Sequence, residues 1–292
     1  QTIGLGYLVK PTLVTIPKKT RASVVITDLI VDQYAGDSNV LPTGMGAKGD
    51  NGEKSSSPYY AYYMQGEVND SFYLAHVYWP NQRTVTIADY ITRRVGNINV
   101  DRDKNGKYLG EFDYLGTSGW MYSVAQVADE EGTVDVVSAP TFPGVGAASW
   151  GMQDGEVMRW QFTVYGYGAD LNADNSAWGQ ASITGDSGDK TQLTHDIAYL
   201  REEYKKTNEG TANDPYAGAD AKLGTSGVYT SVFENVLCDP LATQAELDQA
   251  VADLKLVATE LAKRETFWNL ASAIRSMGAS EAKIAAAEGM FN

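Results

Sequence analysis

Asp101-x-Asp103-x-Asn105-Gly106 sets three oxygen-bearing side chains at alternate positions ahead of a glycine. This is the first half of a calcium loop, in which alternating oxygens face one centre and glycine permits the sharp turn. The twelfth position, where a bidentate Glu closes such a loop, is Phe112, with Glu111 and Asp113 on either side. An EF-hand is therefore not supported, and the expectation is a looser oxygen cage in which Asp101, Asp103 and Asn105 hold calcium. Asp170-x-Asn172-x-Asp174-Asn175 repeats the spacing more weakly. The competing reading of both is an Asx-rich turn, where short oxygen-bearing side chains serve the backbone.

Other chemistry has little material. The chain has two histidines and one cysteine. His76 falls in the aromatic run Phe72-Tyr73-Leu74-Ala75-His76-Val77-Tyr78-Trp79, and His195 stands beside Asp196 near a helix start. Neither has a Gly-x-Ser-x-Gly elbow to serve; Ala147-Ala148-Ser149-Trp150-Gly151 lacks the first glycine. Cys238 alone excludes an internal disulfide and any multi-cysteine zinc site. Gly44-x-Gly46-x-x-Gly49 matches a dinucleotide fingerprint as a string, but Asp50-Asn51-Gly52 and Ser55-Ser56-Ser57-Pro58 follow it instead of a helix. Among 37 acidic residues some pair always lies close, so a two-carboxylate glycoside hydrolase is the weakest reading. The expectation is that the chain is not an enzyme.

Aromatic residues are the remaining signal. Tyr59-Tyr60-Ala61-Tyr62-Tyr63 and the run from Trp160 to Tyr167 concentrate rings on strands. Alternation puts Tyr60 and Tyr62 on one face, opposite Tyr59, Ala61 and Tyr63. Trp120 and Tyr122 share a face in the same way. Exposed Tyr and Trp give contact area at low entropic cost, which suits carbohydrate or protein binding. Tyr60, Tyr62, Trp120, Tyr122 and Trp160 are thus the candidate ligand-binding residues. Rings covering a small β core are the alternative.

The elements that must position these residues divide by period. To about residue 180 the chain shows short apolar runs broken by Gly, Pro and Asn, then it becomes helical. Strands are expected at Tyr7–Ile16, Tyr59–Met64, Phe72–Tyr78, Val85–Ile87, Gly119–Val124 and Glu156–Tyr165. A helix is expected at Arg21–Tyr34, capped by Thr20 or Ser23, and a shorter one near Ile87–Arg94. Leu193, Ile197, Leu200 and Tyr204 form one helical stripe, and Val228, Val232, Phe233 and Val236 a second. Thr243-Gln244-Ala245-Glu246 is a capping box opening a third, along Leu247, Val251, Leu254, Ala258 and Leu261. Phe267 to Met277 and Ala279 to Ala287 add further helical pattern. The expected fold class is α+β: residues 1–185 a mixed sheet packed on one helix, residues 189–292 a small antiparallel helical bundle, joined by a Gly/Ser/Asp stretch.

With 23 basic against 37 acidic residues the formal charge is −14. No basic block accompanies it, which argues against a nucleic-acid partner and against anionic lipid. No apolar stretch approaches the roughly 20 residues of a membrane span.

Gly119-Trp120-Met121-Tyr122-Ser123-Val124, Pro143-Gly144-Val145-Gly146-Ala147 and Met152 through Thr163 resemble the transcobalamin-like C-terminal domain, a β-grasp-type module of bacterial surface proteins. Where that family turns through Val-Asn-Gly, this chain reads Val124-Ala125-Gln126-Val127 and an acidic insertion. The segment Phe233 to Leu254 resembles a FIVAR-type helical module. Together the resemblances imply a secreted or cell-surface bacterial protein whose signal peptide has been removed, acting as a non-enzymatic binding or adhesion module for a host or extracellular glycan or protein. A carrier of a small planar, cobalamin-like ligand is the alternative, although about 100 helical residues are too few for the α-barrel of the vitamin carriers.

Overall fold

The computed structural model describes residues 7, 9–27, 62–65, 70–78, 89, 92–93, 108–127, 138–173, 188–207, 231–278, 280 and 282. They form a mixed α and β structure with two small antiparallel sheets. β1 (Tyr62–Gln65), β2 (Tyr73–Tyr78) and β3 (Tyr108–Gly110) lie in the order β1-β2-β3. β4 (Gly119–Gln126) pairs with β5 (Glu156–Thr163) from Gly119↔Thr163 to Gln126↔Glu156. A mixed sheet is expected from the sequence; every ladder among the described strands is antiparallel. The Asp154-Gly155 turn feeding β5 is present, with Gly155 at φ 71°. The free edge of β4 is met by an isolated bridge, Val124↔Thr141.

The β4–β5 register explains the main core. Tyr122 stands opposite Trp160 and Trp120 opposite Phe162, with ring centroids 5.3 Å apart in both pairs. Cross-strand aromatic pairs of this kind each contribute about 0.2–1 kcal/mol beyond alanine. Phe72 meets the edge of Trp160 at 6.1 Å, so β2 packs onto the second sheet. Alternation along β2 sends Phe72 and Leu74 into this cluster and leaves Tyr73 outside.

The N-terminal segment differs from expectation. Residues 9–16 are irregular rather than a strand, and pairing begins only at the Arg21↔Gly151 bridge. Pro11 and Pro17 remove donors that a ladder would need. The helix expected at Arg21–Tyr34 starts as α1 (Ala22–Val24) and widens through Thr27. Its N-cap is Arg21, with no side-chain cap, because the Thr20 hydroxyl donates to the Pro17 carbonyl at 2.6 Å instead. Ala22 and Val25 join the core beneath Tyr122 and Val124.

The helical part is built from α2 (Thr191–Thr207), a π-helical turn at Ser231–Leu237, and α3 (Gln244–Ser276). Leu193, Ile197 and Leu200 of the expected stripe meet Val232, Leu237, Leu247, Ala250, Leu254 and Val257 in a second core. The capping box is present in both directions: Thr243 N donates to the Glu246 carboxylate at 2.8 Å, and Glu246 N donates to Thr243 Oγ1 at 3.3 Å. The helical material expected at Phe267 to Met277 belongs to α3 itself, which runs 33 residues unbroken. Gly188 lies where a Cβ would come within 2.7 Å of the Gln244 backbone, so the entry to α2 presses on the start of α3.

Candidate functional site

Trp120, Tyr122 and Trp160 are brought together, as alternation requires, and they face the core. Tyr122 is 8% exposed, and its hydroxyl donates to the Val145 carbonyl at 2.7 Å. Burial pushes that hydroxyl up to about 12. Trp120 Nε1 donates to the Leu109 carbonyl at 3.0 Å. Both Trp rings are partly buried against the same cluster. Tyr62 lies in β1 opposite Val77. Tyr60, Asp101, Asp103 and Asn105 lie outside the described residues.

Of the second oxygen cluster, Asp170 is committed elsewhere, and Asp174 and Asn175 lie outside the described residues. The Asp170 carboxylate is buried, accepts from Val164 N at 2.8 Å and from the Thr163 hydroxyl. Thr163 Oγ1 in turn accepts from Gly168 N at 2.9 Å. This network closes the turn after β5 on itself.

A different set of residues forms an exposed aromatic surface. Tyr73 is 47%, Phe112 49% and Tyr167 42% exposed. Glu111 stands among them: its Oε2 accepts the Tyr73 hydroxyl at 2.8 Å. Desolvation, then the Glu111 carboxylate, then Tyr167 hold the Tyr73 hydroxyl well above the ordinary tyrosine range, so it stays a donor. The surface spans β2, the turn after β3 and the turn after β5.

Each turn is fixed by its own polar residues. Gly110 N donates to the buried Asp113 carboxylate at 2.7 Å, and Phe112 N to the Ser118 carbonyl at 3.0 Å. Glu111 N extends the β2–β3 pairing by donating to the Ala75 carbonyl at 3.0 Å. The two turns are then tied together through Thr117. Gly166 N donates to Thr117 Oγ1 at 2.9 Å, and Tyr167 N to the Thr117 carbonyl at 3.1 Å.

The backbone at the two aromatic tips is left-handed: φ is 65° at Phe112 and 53° at Tyr167. An L-residue other than Gly, Asn or Asp there costs about 1–2 kcal/mol, and bulky residues are rare in this region. Glycine would relieve both positions. Instead each carries a large aromatic ring that is left about half exposed. In the sequence Phe112 stands out only as a departure from a calcium loop; the further signal is the placement of Phe112 two residues after Gly110 and of Tyr167 between Gly166 and Gly168.

The histidines serve other places. The His76 ring lies over its cross-strand partner Gly110, filling the space a Cβ would take. His195 Nδ1 is 3.0 Å from Asp196 on the same helix, and its ring stacks on Tyr199.

Lys190 is the other unusual group. It is 1% exposed, and its ammonium donates to the carbonyl of Leu237 at 2.7 Å and to that of Asp239. It thereby closes the carbonyl end of the π-helical turn, an end that otherwise leaves acceptors unpaired. Burial, and then nearby Arg159, lower its pKa to about 7 despite Asp239 and Cys238.

No protein-family model, curated protein or solved structure matches this chain.

Proposed function

We propose that the chain is a non-enzymatic binding protein of a bacterial cell surface, and that it takes an extracellular glycan on the surface formed by Tyr73, Glu111, Phe112 and Tyr167. The observation carrying this reading is that two exposed aromatic residues occupy left-handed backbone. Left-handed backbone at residues other than glycine is a feature that concentrates at binding sites. Aromatic faces suit the apolar faces of pyranose rings, and the Glu111 carboxylate and Tyr73 hydroxyl supply the few fixed polar groups that orient a ligand.

The resemblances at Gly119 to Asp170 and at Phe233 to Leu254 support the setting: a β-grasp-like unit within residues 1–185 presents the surface, and a FIVAR-like helical unit within 189–292 spaces it from the cell. A cobalamin-like carrier acting through Trp120, Tyr122 and Trp160 is less well supported, because those rings already pack on Phe72, Phe162 and one another. The test is a glycan array with wild type, Phe112→Ala and Tyr167→Ala. Saturable binding that both substitutions abolish, with cooperative unfolding retained, supports the reading. Binding unaffected by either substitution refutes it.

A further inference from the structure

Resting on that glycan reading, we infer that the ligand carries a free amine: an amino sugar in its ammonium form, with Glu111 as counter-ion. Glu111 makes no ion pair among the described residues; its Oε2 accepts the Tyr73 hydroxyl, and a carboxylate has a second oxygen, Oε1, able to accept from a ligand donor. A carboxylate beside exposed aromatic residues, with no ion-pair partner among the described residues, has the electrostatics of a cation site. The rings act in the same direction, since the face of an aromatic ring carries negative quadrupole density and attracts ammonium groups. A formal charge of −14 adds a long-range term that repels sulfated or carboxylated glycans and attracts cationic ones.

Tyr73 makes the arrangement durable. Its hydroxyl donates to Glu111, which holds the carboxylate in place. The bonds at Thr117 tie the turn that carries Tyr167 to the turn that carries Phe112. A neutral N-acetylated sugar can still stack on the rings but gains nothing from the carboxylate beyond an ordinary hydrogen bond.

The experiment is calorimetric titration of the full chain with β-1,4-linked glucosamine oligomers and their N-acetylated counterparts at pH 6, in low and moderate salt. The amine form is expected to bind about tenfold more tightly, a preference of about 1.4 kcal/mol, and to weaken as salt screens the pair. Glu111→Gln is expected to remove the preference, so that the amine form binds no more tightly than the N-acetylated form. Equal affinity for the two forms, unchanged in Glu111→Gln, overturns the amine inference and leaves the glycan reading standing. Binding of neither form by wild type, together with a silent glycan array, removes both. The comparison of two ligands on wild type does not depend on the variant folding.

Discussion

Lys190 makes a pH dependence that can be worked out from its surroundings. A free lysine titrates at 10.5, and burial holds Lys190 at about 7 in the fold. Between these values the unfolded chain holds a proton that the native chain has released. Unfolding therefore takes up a proton, and stability rises with pH from about 7 to 10.5 and is level on either side. At about 1.4 kcal/mol per pK unit, the full swing is on the order of 5 kcal/mol. Lys190→Met keeps the unbranched length and removes the titration. It also leaves the Leu237 and Asp239 carbonyls without their donor, a cost that does not vary with pH. The assay is urea unfolding of wild type and Lys190→Met at half-unit steps from pH 6 to 10.5. Titrating groups away from Lys190, including the buried tyrosines, cancel in the difference between the two. That difference is expected to move in favour of wild type as pH rises. Parallel curves, or a difference moving the other way, would show that Lys190 keeps its proton in the fold.

Three further outcomes follow from particular contacts. Gly188→Ala places a methyl within 2.7 Å of the Gln244 backbone and is expected to cost about 1–3 kcal/mol, read as a lower urea midpoint. Asp170→Ala leaves the buried Val164 amide without its acceptor and turns the Thr163 hydroxyl to the Tyr165 carbonyl alone; a loss of about 1–3 kcal/mol is expected by thermal unfolding, with weaker glycan binding because the Tyr167 turn loosens. Phe112→Gly relieves left-handed strain of about 1 kcal/mol while giving up a half-exposed ring. Its melting temperature is expected within a few degrees of wild type while array binding is lost, and a large fall in melting temperature would mark Phe112 as a structural residue instead.

How much of this could be read from the sequence depended on the range of the forces involved. The Thr243–Glu246 capping box is a reciprocal exchange within one turn, so four residues were enough to identify it. The stripes on α2 and α3 and the alternation on β4 and β5 were legible for the same reason: period is local. Alternation also put Trp120 and Tyr122 on a common face, but whether that face meets solvent or core is decided by Phe72 and Phe162, distant in the chain. β3, three residues long, offers no period to detect. The aromatic surface was the least visible part. Its left-handed tips are fixed by Ser118 and Thr117, and the second of these acts across 49 residues of sequence. At the N-terminus, β-branched content between Val9 and Ile16 suggested a strand, and the prolines prevailed.

The bond from Gly166 to Thr117 and its neighbour from Tyr167 separate what this surface is from what it displays. Both run through backbone amides and one threonine, so they make no demand on the side chains at positions 112 and 167. The shape of the display is thereby inherited with the fold, while the displayed groups are open to exchange. A lineage carrying this scaffold can drift from one ligand to another by point substitution at two or three tips, without passing through sequences that fail to fold. Such a scaffold is also suited to library selection, with Tyr73, Phe112 and Tyr167 randomised and Thr117, Asp113 and Asp170 held constant.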